Sequence, residues 1–166
     1  MGIEIQDTAI IGGLRRYLPD AEATARAGAE VAPGLRGGMI VTVAGDLGAG
    51  KTTLVRGTLR QMGWTGPVKS PSYALVEHYL LSSLYFYHFD FYRFNDSNEW
   101  DATGFSELFR PDAICVIEWP ERVAGQLPTV DIAARLSYAE PGRELLLRAG
   151  TAAGKACLAA SSGTAG

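Results

Sequence analysis

The segment GDLGAGKT, from Gly45 to Thr52, constrains the fold of this chain more than any other stretch. It fits the phosphate-binding loop pattern G-x-x-x-x-G-K-[ST] at every fixed position. In that pattern, glycines let the backbone bend so that successive N–H groups point toward phosphate oxygens. Lys51 can add positive charge near the β and γ phosphates, and the Thr52 hydroxyl can ligate Mg²⁺. The segment predicts nucleotide binding, and its members are Gly45, Asp46, Leu47, Gly48, Ala49, Gly50, Lys51 and Thr52.

The residues on both sides of this segment support the same interpretation. Residues 39–45 (MIVTVAG) are a short, apolar, β-branched run, as expected of a strand buried on both faces. Residues 51–63 (KTTLVRGTLRQMG) have apolar side chains at helical spacing and end at a glycine. A helix that begins at the loop directs its positive dipole end toward the same phosphates. The alternative is a glycine-rich turn with a chance Lys-Thr pair, and the flanking strand and helix argue against it.

The remaining segments predict an α/β fold with a P-loop NTPase-like, mostly parallel sheet flanked by helices. One helix is expected within residues 19–38, with Asp20 as its N-cap and Pro33–Gly34 as its stop. An antiparallel strand pair is expected near the C-terminus, around residues 141–142. The other predicted elements are strands within residues 3–7, 72–80, 84–92 and 113–119 and a short helix within residues 99–109.

Length and composition are typical of a compact globular protein. The chain has 166 residues and is 47% hydrophobic, so we expect one domain over residues 1–149. From Gly150 the composition falls to alanine, glycine, serine and threonine, which predicts a weakly ordered tail over residues 150–166. No disulfide is expected between Cys115 and Cys157, because the chain shows no secretory features.

The net charge and the N-terminal segment indicate which binding partners and which cellular location to expect. The net charge of −3 excludes a broad electrostatic attraction to nucleic acid. The start, MGIEIQDTAI, has neither a basic region nor a long apolar segment, and no stretch approaches the length of a membrane span. The cytoplasm is therefore the expected location.

Two acidic residues are candidates for the metal that accompanies a bound nucleotide. Such enzymes need a carboxylate near Mg²⁺, usually at the end of a neighbouring apolar strand. Glu118 directly follows the apolar run AICVI, and Asp90 lies in the aromatic run YHFDFYRF. Glu118 could instead be a solvated strand end, and Asp90 could be a structural carboxylate paired with Arg93 or His88.

The segment VKSPSYALVEHY, residues 68–79, is a third candidate for function. Its Ser-Pro dipeptide stiffens a turn. Lys69, Ser70 and Ser72 offer polar groups to a phosphate or to an attacking water. The alternative is an ordinary loop that leads into a strand.

Seven segments follow one another between about Pro19 and Glu144: GDLGAGKTTLVRG, VKSPSYALVEHY, YHFDFYRF, GFSELF, ICVIEWPERV, LP and GRE. In this order and approximate spacing they resemble the TsaE family, also called YjeE, of small bacterial P-loop ATPases in tRNA threonylcarbamoyladenosine biosynthesis. The nearest departure is Ser72-Tyr73, where the family usually has threonine and an aromatic residue. A hydroxyl and a ring are kept at these positions.

The resemblance implies an activity and partners that the motifs alone do not reveal. The family hydrolyses ATP with Mg²⁺, and the hydrolysis supports turnover of a complex of the TsaD and TsaB proteins, by resetting it between catalytic cycles. The family protein does not itself transfer the threonylcarbamoyl group, and contact with tRNA would be indirect. The implied fold is a P-loop α/β domain with an unusual strand arrangement.

The resemblance also implies roles for individual residues. The loop from Gly48 to Thr53 would bind the triphosphate, and Thr52 and Glu118 would hold Mg²⁺. Asp90, in the family signature HFDxYR, would be a hydrolytic or metal-associated acid. The implied catalytic residues are Lys51, Thr53, Asp90 and Glu118. Further nucleotide contacts would come from Asp20, Ser70, Trp119 and Arg143, with Asp20 and Arg143 near the adenine and residues 70–73 sensing the γ-phosphate.

Two other functions are compatible with a phosphate-binding loop. A small-molecule kinase on the same scaffold would need an arginine-rich lid, whereas the arginines of this chain are scattered and no lid insertion is visible. A non-catalytic nucleotide-binding module would support a complex without hydrolysis, and it would tolerate loss of Glu118 and Asp90.

Overall fold

The computed structural model describes residues 13–163, and the strand predicted within residues 3–7 lies outside this range. The strands are β1 (Gly13–Leu18), β2 (Ile40–Gly45), β3 (Val76–Leu80), β4 (Tyr85–Asp90), β5 (Ala113–Glu118), β6 (Ile132–Ala139) and β7 (Gly142–Ala149). The α-helices are α1 (Ala21–Val31), α2 (Lys51–Gln61), α3 (Trp100–Thr103) and α4 (Ala152–Gly163).

The seven strands form one mixed sheet in the order β1–β7–β6–β2–β5–β4–β3. Strands β6, β2, β5 and β4 run parallel to their neighbours among these four. The pairs β1–β7, β6–β7 and β3–β4 are antiparallel. The α/β class and the C-terminal antiparallel pair are confirmed, but the expectation of a mostly parallel sheet is wrong, because half of the neighbouring pairs are antiparallel. Two of those pairs are hairpins, whose short connections require antiparallel strands.

Helix α1 fixes the position of the helix that follows β2. The Asp20 carboxylate accepts a hydrogen bond from the backbone N–H of Ala23 at 2.9 Å, as the predicted N-cap should. Helices α1 and α2 then cross at very short range. A Cβ at Gly28 would lie 2.1 Å from the Leu54 carbonyl oxygen, and one at Gly57 would lie 2.0 Å from the Ala25 oxygen. Only glycine permits this approach, which anchors the first turn of α2 beside the sheet.

The two faces of β4 have different environments. Phe86 contacts the core that α1, α2 and α4 form on one face of the sheet. Phe89 packs on the opposite face, in a cluster of aromatic side chains that covers this half of the sheet. Because side chains alternate along a strand, His88 and Asp90 lie on the helix-covered face with Phe86. The other aromatic members of the cluster are Tyr87, Phe91, Phe94, Trp100, Phe105, Phe109 and Trp119.

The C-terminal segment is a helix, so the prediction of a weakly ordered tail is wrong for residues 152–163. Cys157 and Leu158 are buried in the core, and the Ser161 hydroxyl donates a hydrogen bond to the Glu30 carbonyl at 2.8 Å. Alanine has the highest helix propensity, so a composition that suggests disorder also suits a helix once two apolar side chains are buried against the core.

Both cysteines are free, buried thiols. Within residues 13–163, no helix combines the length and the apolar character that crossing a bilayer requires.

Candidate functional site

The glycine loop, residues 45–50, connects β2 to α2. Gly50 is the N-cap of α2 and has a left-handed backbone, with φ = 105°, which glycine adopts without strain. Lys51 folds back over the loop, and its Nζ donates to the carbonyl oxygens of Gly45 at 2.7 Å and Asp46 at 2.8 Å. Burial lowers the pKa of Lys51, and the carboxylates of Glu118 and Asp90 partly offset that effect. The loop thus places a buried cation at the first turn of a helix, where anions bind.

Two buried carboxylates stand beside this loop. Strands β4 and β5 are parallel neighbours, and Asp90 and Glu118 are register partners at their carboxyl ends. Strand β2 pairs with β5 on its other side, so the glycine loop leaves the sheet next to the same edge. Ligands of open α/β sheets bind outside the carboxyl ends of the strands. The structure therefore brings both predicted acids to the position that the sequence suggested for a metal.

Glu118 contacts the predicted metal partner Thr52. The Thr52 hydroxyl donates to Glu118 Oε2 at 3.1 Å, across the gap between α2 and β5. The same oxygen lies 2.6 Å from His88 Nε2. Glu118 is buried, so the alternative of a solvated strand end is excluded.

Asp90 has partners other than those considered from the sequence. The Ser70 hydroxyl donates to Asp90 Oδ2, and the Tyr92 backbone N–H donates to Oδ1 at 2.9 Å. Arg93 does not pair with Asp90. Its Nη2 donates to the Tyr73 hydroxyl at 3.1 Å, and its guanidinium lies 4.3 Å from the centre of the Tyr73 ring. The contact with Ser70 links residues 68–79 to the acid, which an ordinary entry loop would not require.

One cavity of about 420 Å³, which we call the acidic cavity, is lined by Lys51, Thr52, Ser70, Asp90 and Glu118 among others. The described residues include no group of three or more histidines, cysteines or acids that could hold a metal by themselves. Mg²⁺ does not need such a group, because it is held by one or two carboxylates together with phosphate oxygens and water. The oxygen atoms of Thr52, Asp90 and Glu118 suit that ion. The residues lining the acidic cavity are Leu47, Gly48, Gly50, Lys51, Thr52, Thr53, Ser70, Ser72, Asp90, Tyr92, Arg93, Glu118 and Trp119.

A second cavity, of about 320 Å³, lies on the other side of the glycine loop, and we call it the outer cavity. Asp20 and Arg143 both line it, as do Ala49 and Thr53. Arg143 Nη2 donates to the Gly48 carbonyl at 3.4 Å. Thr53 borders both cavities, together with two loop glycines. The structure thus divides the candidate nucleotide contacts into one group beside the acids and another beside α1 and β7.

Trp119 has an unusual backbone immediately after Glu118. Its φ of 58° places it in the left-handed region, which for a non-glycine residue costs on the order of 1–3 kcal/mol. The Lys51 Nζ lies 4.6 Å from the centre of its ring, and the Tyr92 ring lies 4.9 Å away. This turn carries the ring back over the acidic cavity, which explains why Trp119 lines it.

Two residues of the site were not predicted as such. His88 was not among the predicted site residues, although it precedes Asp90 by two positions and so faces the same side of β4. Tyr138 had no signal in the sequence. Its hydroxyl donates to the Leu47 carbonyl at 2.6 Å, and Arg143 stacks 4.3 Å from its ring centre. It reaches the loop because β6 lies next to β2 in the sheet.

Comparisons with known proteins agree with this arrangement. A family model described as threonylcarbamoyl adenosine biosynthesis protein TsaE matches residues 18–145. The tRNA threonylcarbamoyladenosine biosynthesis protein TsaE of Haemophilus influenzae is 42% identical over 154 residues, which span 90% of this chain and 98% of that protein. The protein of the same name from Synechocystis is 39% identical over 121 residues, which span 68% of this chain and 73% of that protein.

The fold has a relative of known structure. The crystal structure of Bacillus subtilis YdiB superposes on this chain with a TM-score of 0.79 and 26% sequence identity, covering 92% of this chain and 95% of that one. The family model spans both the glycine loop and the two acids. The chain therefore belongs to the TsaE family of proteins involved in tRNA threonylcarbamoyladenosine biosynthesis.

Proposed function

We propose that this protein binds ATP with Mg²⁺ at the glycine loop and hydrolyses it to support turnover of a TsaD–TsaB complex in tRNA modification. The observation that carries the proposal is the convergence of Thr52, Glu118 and Asp90 beside the loop. Thr52 and Glu118 lie within 3.1 Å of each other, and Asp90 is the register partner of Glu118. A chance glycine-rich turn would not need two buried carboxylates and a buried lysine at its end.

The chain's residues divide the work of phosphoryl transfer to water. The backbone N–H groups of the loop and the Lys51 ammonium would hold the phosphates, and Thr52 and Glu118 would hold the metal. When bound, Mg²⁺ supplies positive charge that neutralises the developing charge on the phosphate oxygens. Asp90, fixed by Ser70 and by the Tyr92 N–H, is placed to orient the attacking water. Trp119 covers the loop lysine and limits the access of bulk water.

The outer cavity is proposed to hold the base and sugar. Its position across the loop from the acids matches a nucleotide whose phosphates lie on the loop. Arg143 offers a planar guanidinium there, which can stack on an adenine ring. The Asp20 carboxylate is already engaged as the cap of α1, so its contribution is to shape the cavity wall.

The partners and the compartment are proposed from the family. The curated relatives are named as tRNA threonylcarbamoyladenosine biosynthesis proteins. We propose TsaD and TsaB as the proteins that this chain serves, with tRNA reached only through them, in the cytoplasm. The net charge of −3 agrees with a protein that does not bind tRNA directly.

The test is ATP hydrolysis by the purified protein, alone and with TsaD and TsaB, compared with formation of the modified nucleoside over many cycles. We expect slow hydrolysis alone, and multiple turnover of the complex only with ATP and this protein present. Full multiple turnover with the double variant Glu118→Ala, Asp90→Ala would favour a non-catalytic module. Stoichiometric transfer of the γ-phosphate to a metabolite would favour a kinase.

A further inference from the structure

We propose that His88 is a positioning residue that holds the Glu118 carboxylate in place for the metal; this inference rests on the proposed function. His88 is 0% exposed, and its Nε2 lies 2.6 Å from Glu118 Oε2. Buried polar side chains on a strand between apolar neighbours are uncommon unless a partner needs them. Here the partner is the carboxylate that also accepts from the metal-side hydroxyl of Thr52.

The hydrogen-bonding state of the ring follows from its second nitrogen. His88 Nδ1 is buried and has no hydrogen-bond partner in the part of the chain that the structure describes. An N–H group buried without an acceptor is rarer and more costly than an unpaired acceptor nitrogen. The proton therefore sits on Nε2 and is donated to Glu118, while Nδ1 keeps only a lone pair.

The hydrogen bonds that His88 and Thr52 make to Glu118 respond differently to a bound metal. Both donors use the same oxygen of Glu118. A Thr52 hydroxyl that ligates a metal through an oxygen lone pair keeps its hydrogen, but it is then held by that metal and gives Glu118 no anchor independent of it. His88 stands on the strand side, where β4 and β5 are paired along their full length, so its bond can persist. Such outer partners fix ligand orientation and are worth about 10–100-fold in metal affinity.

Two substitutions separate the hydrogen bond from the volume of the ring. His88→Leu fills similar space without a donor, and His88→Gln places an amide N–H at nearly the position of Nε2. The measurements are Mn²⁺ binding to the protein–ADP complex by electron paramagnetic resonance, and ADP binding without metal by calorimetry. We expect His88→Leu to weaken Mn²⁺ binding about tenfold or more and to leave metal-free ADP binding unchanged. His88→Gln should restore most of the loss.

Three outcomes would overturn the proposal. They are unchanged Mn²⁺ binding in His88→Leu, equal loss in both variants, or a parallel loss of metal-free ADP binding, which would indicate a merely structural residue. If His88→Leu does not fold, the wild-type protein labelled with ¹⁵N-histidine still provides a test. Its spectrum should show a protonated Nε2 and an unprotonated Nδ1 for His88, and the reverse assignment would refute the geometry.

The outcomes also separate this inference from the proposed function. Absence of ATP hydrolysis by the wild-type protein with its partners would remove the ATPase proposal, and the metal-binding and nuclear magnetic resonance results would still stand. Normal hydrolysis with unchanged Mn²⁺ binding in His88→Leu would remove only the role of His88.

Discussion

The two cavities on either side of the glycine loop share Gly48, Gly50 and Thr53, and the other residues that line them differ. The acidic cavity contains two buried carboxylates and the loop lysine, all on rigid elements. The outer cavity is lined mainly by small and apolar residues, together with an arginine and one acid that caps a helix. This difference indicates that the acidic cavity serves the reaction at the phosphates, whereas the outer cavity holds the rest of the nucleotide. Substitutions on the two sides should therefore affect different kinetic constants.

Lys51→Ala should have the largest effect, because Lys51 contributes both to holding the nucleotide and to stabilising transferred charge. We expect ATP affinity to fall at least tenfold and hydrolysis at saturation to fall by about 10² or more. Calorimetry measures the ATP affinity, and phosphate release from the same sample measures the hydrolysis rate. Lys155→Ala, on the exposed surface of α4, is the matched control for loss of a lysine. Unchanged ATP affinity in Lys51→Ala would count against the glycine loop as the phosphate site.

Asp90→Asn should affect only the chemical step. The amide keeps the size of the side chain and loses the charge that orients water, so we expect kcat to fall about 10²–10⁴-fold while ATP affinity changes less than about threefold. Ser70→Ala, which removes one donor to Asp90, should give a smaller loss of kcat. If Asp90→Asn weakened ATP binding as much as it slowed hydrolysis, the assignment of the acidic cavity to the chemical step alone would be contradicted.

Arg143→Ala should show the opposite pattern. Loss of a stacked cation at a partly exposed site removes about 1 kcal/mol, which corresponds to roughly a fivefold loss of ATP affinity. The hydrolysis rate at saturating ATP should stay unchanged, because Arg143 lies outside the acidic cavity. Arg143→Lys tests whether charge alone suffices. A large fall in kcat with normal ATP affinity would show that Arg143 acts in the chemical step instead of in binding.

Tyr138→Phe should have the smallest effect. It removes the hydrogen bond to the Leu47 carbonyl and keeps the ring under Arg143. A single hydrogen bond contributes about 0.5–1.5 kcal/mol, so we expect a fall of a few degrees in Tm and less than a threefold change in ATP affinity. Thermal unfolding followed by circular dichroism measures the change in Tm. A loss of hydrolysis comparable to that of Asp90→Asn would show that the loop depends on β6 for catalysis.

The features that the sequence predicts well are those that depend on local physics. The Asp20 cap, the strand before the glycine loop and the helix after it all follow from neighbouring residues, and the structure contains them. Glu118 was recognised because a phosphate-binding loop needs a carboxylate near Mg²⁺, usually at the end of a neighbouring apolar strand. In the aromatic run around Asp90, four rings pack on the face away from the loop, whereas Tyr92 lines the acidic cavity; the four are Tyr87, Phe89, Phe91 and Phe94.

The features that the sequence could not reveal depend on which strands become neighbours. The pairing of His88 with Glu118 requires β4 beside β5, and the contact of Tyr138 with Leu47 requires β6 beside β2. Strand β1 was missed because its sequence, GLRRYL, has two adjacent arginines instead of a clear alternation. It forms at the sheet edge, where charged side chains are favourable, and Arg15 pairs there with Glu144 on β7.

The most direct test of the account is Glu118→Gln, with ATP affinity and hydrolysis measured on the same preparation at saturating Mg²⁺. The amide keeps the size of the side chain and can still accept hydrogen bonds, so the fold should persist while the charge for the metal is lost. The account predicts that kcat falls about 10²-fold or more and that ATP affinity falls less than tenfold, because metal charge matters most where transition-state charge develops. Equal losses of affinity and kcat, or normal hydrolysis, would contradict it.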